Sequence, residues 1–542
     1  MSDDGKRTEK KPYAGGDRRF SGKPGEKKSF SPRNGNGKDG GTGGKTYGRP
    51  AGQSDRKPFG KPAGKAEGKP YGRPAAKPGQ KPFDRKPASK PAPDPNAPSS
   101  LSRKVALEIF QDVVRKDAYA SLSLDDRMKN ANLSQLDKRF CASIVYTTLE
   151  NLIRIDYVLS FFLKDADNLE TTVRDVLRIS VCQLLFHDRV PENAVVDEAV
   201  KLVRGAGLEG LTGLTNAVLR SVVRGKDEIK WPAPEEGPSY LSIMYSVPLW
   251  IAERLTEAYG LETAKEICAF RNPSHYTVVR PNLMKLTDEA FEQLLQKKVW
   301  EAEKGAVPHA WRVRKAAEIA QDADYFAGNF SIQGESSMLA AQAVDAKPGM
   351  QILDCCAAPG GKSAYLAEVM GGSGRVYAWD VHEHRVTLIK TMMRRLRLEN
   401  VRPAVRDAAA FKEELAGTMD AVLLDAPCSG LGVMDNKPDI KYRATPESVK
   451  ELTGIQEKLL NTCCQYVKRG GALVYSTCSI LPEENGEQIR RFLAAHHDFA
   501  LSPLPASFDE RFKALYTETG LQLLPHRDGV EGFFIARMRR VK

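Results

Sequence analysis

Residues 350–370 read MQILDCCAAPGGKSAYLAEVM. The apolar run 350–354 ends in an acid, and the pattern turns helical after Lys362, so the stretch predicts a strand, a tight turn and a helix. The turn, Asp354-Cys355-Cys356-Ala357-Ala358-Pro359-Gly360-Gly361-Lys362, is built of small residues. Small residues there let the backbone approach a ligand at the carboxyl end of a strand. The tail Gly-Gly-Lys-Ser mimics a phosphate-binding loop, but that motif needs Gly at position 356, where Cys356 stands. The next strand, 375–380, ends in Asp380, where a carboxylate can hydrogen-bond both hydroxyls of a ribose, as in many nucleoside-binding enzymes.

Working outward, residues 350–540 alternate short apolar runs with helical patterns. Strands are predicted over 350–354, 375–380, 404–407, 421–424 and 472–476, and helices near 362–370, 384–398 and 447–468. That alternation predicts a parallel α/β sheet. The fourth strand leads into Asp425-Ala426-Pro427-Cys428-Ser429-Gly430, and the fifth into Tyr475-Ser476-Thr477-Cys478-Ser479. Parallel strands end at one edge of a sheet, so two cysteines and an aspartate are expected to converge there. Without His partners or C-x-x-C spacing they fit neither zinc nor thioredoxin chemistry. They do fit methylation of a pyrimidine at carbon 5. That carbon becomes a nucleophile only after a thiolate adds to carbon 6; a carboxyl group near N3 stabilises the charge on the ring, and a second group assists release.

Composition bounds the rest. The chain has 542 residues and a formal net charge of +12. The first 100 residues hold 24 Lys+Arg and 10 Asp+Glu, a net of +14, so the remainder carries −2. The same window has 18 Gly and 15 Pro, and Met1 is its only large aliphatic residue, which predicts a disordered arm over 1–98. Units beginning at Lys45, Lys57, Lys69 and Lys81 (KTYGRP, KPFGKP, KPYGRP, KPFDRKP) bracket one aromatic each between cations. Cations neutralise phosphates and aromatics stack on unpaired bases, so weak RNA affinity is expected of this arm. No apolar h-region opens the chain and no run approaches the ~20 apolar residues of a membrane span, so neither secretion nor membrane insertion is expected. Nine scattered cysteines, an odd number, point to a reducing cytoplasm rather than a disulfide scaffold. Cys355, Cys463 and Cys464 read most simply as core residues.

From Leu101 the pattern becomes helical. Val105, Ile109, Phe110 and Val113 recur at helical spacing, as do Ile144, Val145 and Leu149, then Val173, Val176, Leu177 and Val181, and Val195, Val196, Ala199 and Val203. This predicts an all-α bundle. The stretch LRISVCQLLFHDRVPENAVVDEAVKLV (177–203), with NAVLR (216–220), resembles the NusB-type RNA-binding domain.

DCCAAPGGK, DAPCSGLG and YSTCSILPEEN closely resemble three motifs of the NOL1/NOP2/Sun (RsmB) family of RNA cytosine-C5 methyltransferases, which use S-adenosylmethionine. YSVPLWIAERL (245–255), FSIQGESSML (330–339) and LLPHRDGVEGFFIAR (523–537) fit the same family. The chain departs from the family pattern at Arg280-Pro281-Asn282, commonly Arg-Val-Asn, and at Gln333-Gly334-Glu335-Ser336-Ser337, commonly Gln-Asp-Glu-Ala-Ser. The resemblance implies that Cys478 is the nucleophile, that Cys428 assists product release, and that Asp425 holds and polarises the cytosine. It implies that Cys356, Ala357, Ala358, Pro359, Gly360, Gly361, Lys362, Asp380 and Asp407 bind S-adenosylmethionine, with Asp425 close to the methyl donor.

The implied architecture is a disordered arm (1–98), a NusB-like helical RNA-binding domain (99–235), a small α+β connecting subdomain (236–332) and a Rossmann-like catalytic domain (333–542). The implied partner is ribosomal RNA of the small subunit, with no membrane and no metal. A tRNA or 23S rRNA methyltransferase and a non-catalytic antitermination factor are the alternatives. A DNA methyltransferase is disfavoured, because those enzymes use the Pro-Cys cysteine as nucleophile. Lys437–Arg443 (KPDIKYR), basic and directly after the Pro-Cys loop, is expected to touch RNA. If the arm is an electrostatic tether, deleting residues 1–98 weakens RNA binding and flattens the slope of log K against log salt, measured by filter binding, while the modified nucleotide stays the same. A shift in that nucleotide would contradict the tether.

Overall fold

The computed structural model describes residues 99–164, 168–271, 276–316 and 319–542. The arm expected over 1–98 lies outside the described residues. The first helices are α1 (Leu101–Lys116), α2 (Ala120–Asn130), α3 (Gln135–Glu150), α4 (Leu152–Phe162), α5 (Thr171–Phe186), α6 (Glu192–Gly205) and α7 (Thr212–Gly225). The positions marked by helical spacing, including Ile109, Phe110, Ile144, Val145, Leu149, Val176, Leu177, Val181 and Val203, meet in one apolar core. This is the expected NusB-type bundle.

Three helices follow: α8 (Pro238–Tyr245), α9 (Leu249–Tyr259) and α10 (Leu261–Ala269). They turn Leu241, Ile251, Leu255 and Ile267 against Leu431, Ile480 and Leu481, which lie in the loops just past the two cysteine motifs. A four-stranded antiparallel sheet comes next, from β1 (Thr277–Pro281), β2 (Glu301–Lys304), β3 (Trp311–Arg314) and β4 (Phe330–Ile332), in the order β2-β3-β1-β4. Helix α11 (Asp288–Gln296) covers it through Phe291 and Leu295 against Trp311 and Phe330. A short helix α12 (Ala323–Phe326) precedes β4.

The rest is a mixed eight-stranded sheet. Helix α13 (Glu335–Gln342) enters it, then β5 (Gln351–Asp354), α14 (Gly361–Val369), β6 (Arg375–Asp380), α15 (Glu383–Leu396), β7 (Val401–Val405) and β8 (Met419–Asp425). A short helix α16 (Ile440–Arg443) and α17 (Pro446–Cys463) lead to β9 (Val467–Thr477), α18 (Gly486–Ala495), β10 (Phe499–Leu501), β11 (Leu521–Leu523) and β12 (Phe533–Arg540). The order is β10-β12-β9-β8-β5-β6-β7, with β11 also on β12. Alternation along the strands explains the two covered faces. Ile352, Ala421, Leu423, Ala472 and Val474 join the core under α14 and α15, while Leu353, Val422, Leu424, Leu473 and Tyr475 pack on α17 and α18. Helix α17 starts where Thr445 caps the Ser448 amide and Pro446 fits the first turn.

Three expectations need correction. The sheet is parallel only from β9 through β8, β5 and β6 to β7; β12 runs antiparallel to β9, and β10 and β11 run antiparallel to β12. Periodicity marks an apolar run such as Phe533–Ala536 but carries no information on strand direction. The strand expected at 404–407 is Val401–Val405, so Asp407 lies in the loop beyond it. The strand expected at 472–476 starts earlier, at Val467, with a register irregularity opposite Met419 and Ala421 and a left-handed turn at Gly470.

One buried pair ties the small sheet to the large one. Arg280 of β1 donates from Nη1 to Glu368 Oε2 at 2.6 Å and from Nε to Gln333 Oε1 at 2.7 Å, and both charged side chains are fully buried. Asn282, also buried, donates to the carbonyls of Gly328 and Leu396. The residues flanking the family departure at Pro281 therefore cross-brace the fold. Glu368→Ala strands the Arg280 charge and is expected to cost about 3–5 kcal/mol in urea denaturation, with much of it recovered in Arg280→Met/Glu368→Leu.

Candidate active site

The β8–β9 pairing sets Asp425 beside Ser476, and Ser476 Oγ donates to Asp425 Oδ1 at 2.8 Å. Beyond these strand ends Cys428 Sγ and Cys478 Sγ stand 3.3 Å apart. Lys362, in the first turn of α14, donates its Nζ to Asp425 Oδ2 at 2.7 Å. Residues from three motifs far apart in sequence thus form one constellation. The approach of the flanking loops is close. Gly432 N donates to Cys478 O and Gly532 N to Gly432 O, both at 2.9 Å. A Cβ on Gly432 would lie 2.1 Å from Gly532 O, so a side chain has no room at that crossing.

Electrostatics separate the two thiols. The hydrogen bond from Cys428 lowers the pKa of Cys478; burial and the Asp425 charge oppose this, and Lys362 and Lys437 add to it. For Cys428 the same bond, with burial and nearby carboxylates, pushes the thiol well above its ordinary value. These opposite directions bias Cys428 toward the thiol and Cys478 toward the thiolate. Burial also pushes Cys355 and Cys356 well up, and Cys141, Cys182, Cys268 and Cys464 up to about 12. Cys355, Cys463 and Cys464 are core residues. Burial works against the Lys362 ammonium, but the charge and hydrogen bond of Asp425 outweigh it and raise the Lys362 pKa.

The small-residue loop forms the adjoining floor. Ala357 N donates to Trp379 O at 2.7 Å, and Arg385 Nη2 to Ala358 O at 3.3 Å. Cys356 is half-buried, Pro359 is exposed, and Gly360 takes φ +110, which favours glycine. Gly361 opens α14. Asp380 is buried at the end of β6; its Oδ1 accepts from His382 N at 3.1 Å, and Arg385 Nη1 lies 3.4 Å from Oδ2. Asp407 is exposed and outside the thiol cluster, with Oδ1 accepting from Ala409 N at 2.9 Å. Its neighbour Arg406 donates its N–H to Asp380 O, which keeps the two acid-bearing loops adjacent. The Asp354 side chain accepts from Ser363 Oγ at its Oδ2, and its Oδ1 is buried without a hydrogen-bond partner. Acids at consecutive strand ends over a small-residue turn suit a nucleoside carrying a charged amino-acid tail, as S-adenosylmethionine does.

Two placements differ from the sequence reading. Part of the segment expected to touch RNA is taken up by packing on the preceding helices. Lys441 is buried and donates to Glu150 O at 3.0 Å, and burial lowers its pKa to about 7. Tyr442 OH lies 3.0 Å from Ser246 Oγ, and the Arg443 guanidinium sits 4.0 Å from the Tyr119 ring centroid. Lys437 stays exposed. The second is Glu484, given no role from sequence although it sits in the quoted YSTCSILPEEN; it is fully buried beneath both cysteine loops. Its acid six residues past Cys478 was the available signal.

Among the described residues no group of His, Cys, Asp or Glu is placed to hold a metal ion, and no helix is long and apolar enough to cross a membrane. Burial first, and then the Asp425 charge, raises the Asp354 pKa to about 7, against the Ser363 hydrogen bond. The folded state then holds this proton more tightly than the unfolded chain. The resulting stability is full below about pH 4 and is lost as pH rises through about 7. Asp354→Asn is expected to flatten that fall by on the order of a few kcal/mol, read by urea denaturation at pH 5 and 8 without S-adenosylmethionine.

Comparison with known proteins places this geometry. Residues 341–539 match the 16S rRNA methyltransferase RsmB/F family, 100–224 the NusB family, and 247–320 the RsmF/B-like ferredoxin-like domain. The Bacillus subtilis (strain 168) protein named "Probable ribosomal RNA small subunit methyltransferase B" is 36% identical over 441 residues, 81% of this chain and 98% of that one. Ribosomal RNA small subunit methyltransferase B of Pasteurella multocida (strain Pm70) is 30% identical, over 81% of this chain and 96% of its own. The crystal structure of PH0851 superposes with a TM-score of 0.69 at 26% identity, covering 83% of this chain and 100% of that one. With the convergent motif loops and the Rossmann-like sheet, these matches show that the chain belongs to the ribosomal RNA small subunit methyltransferase B (RsmB) family and is an S-adenosylmethionine-dependent methyltransferase.

Proposed function

We propose that this enzyme methylates carbon 5 of a cytosine in 16S ribosomal RNA through a covalent bond between Cys478 Sγ and carbon 6. The observation that carries the reading is the 3.3 Å Cys428–Cys478 pair, with Cys478 biased toward thiolate beside the Lys362–Asp425–Ser476 set. The Cys478 thiolate adds to carbon 6 and makes carbon 5 nucleophilic. Asp425, fixed by Lys362 and Ser476, engages the polar edge of the base and stabilises the charge that develops there. Bound S-adenosylmethionine supplies an electrophilic methyl group; residues Cys356, Ala357, Ala358, Pro359, Gly360, Gly361 and Lys362, with Asp380 and Asp407, hold it. Loss of the carbon-5 proton restores the 5,6 double bond and breaks the carbon–sulfur bond, and Cys428 is within reach to assist. A paired target base must be flipped from its stack to reach this edge.

In this reading the arm (1–98) captures RNA, residues 99–235 bind it, 236–332 connect, and 333–542 catalyse. The enzyme works in the cytoplasm, where its thiols stay reduced. Cys478→Ala is expected to abolish methyl transfer while RNA binding persists. Cys428→Ala is expected to accumulate a protein–RNA adduct, seen as a shifted band on a denaturing gel. Activity in Cys478→Ala, or an adduct through Cys428, would sink the assignment. Bisulfite sequencing of RNA from cells with and without the protein distinguishes a 16S target from tRNA or 23S rRNA.

A further inference from the structure

Beneath the two thiols lies a carboxylate that the reaction above does not use. Glu484 is fully buried and closes the turn Pro482–Glu484 just before α18. Its Oε1 accepts from Ser429 N at 2.9 Å and from Gln456 Nε2 at 3.1 Å. Its Oε2 accepts from Ser429 Oγ and Ser479 Oγ, each at 2.5 Å. Four donors reach its two oxygens, which is what burying a carboxyl group away from water requires.

The identity of the donors matters more than their number. Ser429 directly follows Cys428, and Ser479 directly follows Cys478. The two hydroxyl oxygens lie 3.2 Å apart on one carboxylate oxygen, and the preceding sulfurs lie 3.3 Å apart. Gln456 also donates to Pro427 O at 2.9 Å, so the residue before Cys428 is tied to the same hub. The backbone of Glu484 is itself fixed, because Tyr475 OH donates to its carbonyl at 2.6 Å. Next to it, Asn485 donates to Ser479 O at 2.9 Å and accepts from Thr477 Oγ1 at 2.5 Å.

We propose that Glu484 is a positioning residue: by drawing Ser429 and Ser479 onto one buried carboxylate, it sets the approach of Cys428 to Cys478 and so maintains the reactive thiolate. A thiol donor stabilises a thiolate only at short range, so any widening of the loops costs Cys478 its partner. The role deepens the covalent reading above and rests on it for its catalytic meaning.

The test is the pH profile of Cys478 alkylation by iodoacetamide in the full chain, followed by peptide mass spectrometry, with calorimetric binding of S-adenosylmethionine as the control for folding. Glu484→Gln keeps the side chain's size but replaces one acceptor oxygen with a donor. It is expected to move the profile up by about one pH unit, about a tenfold loss of alkylation rate near neutrality, while S-adenosylmethionine still binds. Ser429→Ala and Ser479→Ala each remove one donor and leave the others in place; each is expected to shift the profile the same way by less, and they decide the matter if Glu484→Gln does not fold. Profiles that superpose on the parent's in the folded variants would overturn the proposal, as would loss of S-adenosylmethionine binding in step with the slower alkylation. The readout requires no RNA, so the positioning role and the cytosine reaction fail separately.

Discussion

The parallel pairing of β8 with β9 is the constraint on which the site depends. Its register runs from Ala421 opposite Ala472 to Asp425 opposite Ser476. A shift of one residue would turn Leu424 and Tyr475 out of the core and separate Asp425 from the Ser476 hydroxyl. The register is held from both faces, since alternate residues of both strands are claimed by different apolar cores. Once it is fixed, the two motif loops leave the sheet side by side, and two sulfurs fifty positions apart in sequence meet. Strand β5, on the other side of β8, delivers Lys362 to the same point.

Burial alone would silence the site. Desolvation disfavours a thiolate, as the raised pKa values of the other buried cysteines illustrate. Cys478 escapes because a hydrogen-bond donor and two lysines oppose desolvation there. Lys362 in turn stays charged because Asp425 answers it. The thiol pair and the lysine are therefore one electrostatic unit, held together around Asp425.

The helical bundle joins this unit through the chain itself. The segment that leaves the Pro-Cys loop runs through Lys441, Tyr442 and Arg443, whose polar groups end on Glu150, Ser246 and Asp117. Helices α8–α10 pack their apolar faces on Leu431, Ile480 and Leu481, immediately beyond the two cysteines. Both cysteine loops are thus backed by elements that precede the catalytic sheet.

The sequence by itself determined whatever local pattern can encode. Helical spacing located the bundle core at Ile109, Ile144 and Val176; alternation located β5, β6 and β8; and small residues marked the turn at Cys356–Gly361. The motifs named Cys428, Cys478 and Asp425 as neighbours before any distance was known; the described residues bring the two sulfurs together and add Lys362 on Asp425, which the motifs had placed only in the cofactor loop. Tertiary structure decided what depends on a partner far along the chain. The antiparallel direction of β12, the burial of Lys441 against Glu150, and the four bonds onto Glu484 are of this kind. A basic heptapeptide reads alike whether it faces solvent or a carbonyl, and an acid in a short turn reads alike whether exposed or buried. Only the packing of distant segments removes water from such groups and supplies the hydrogen bonds that replace it.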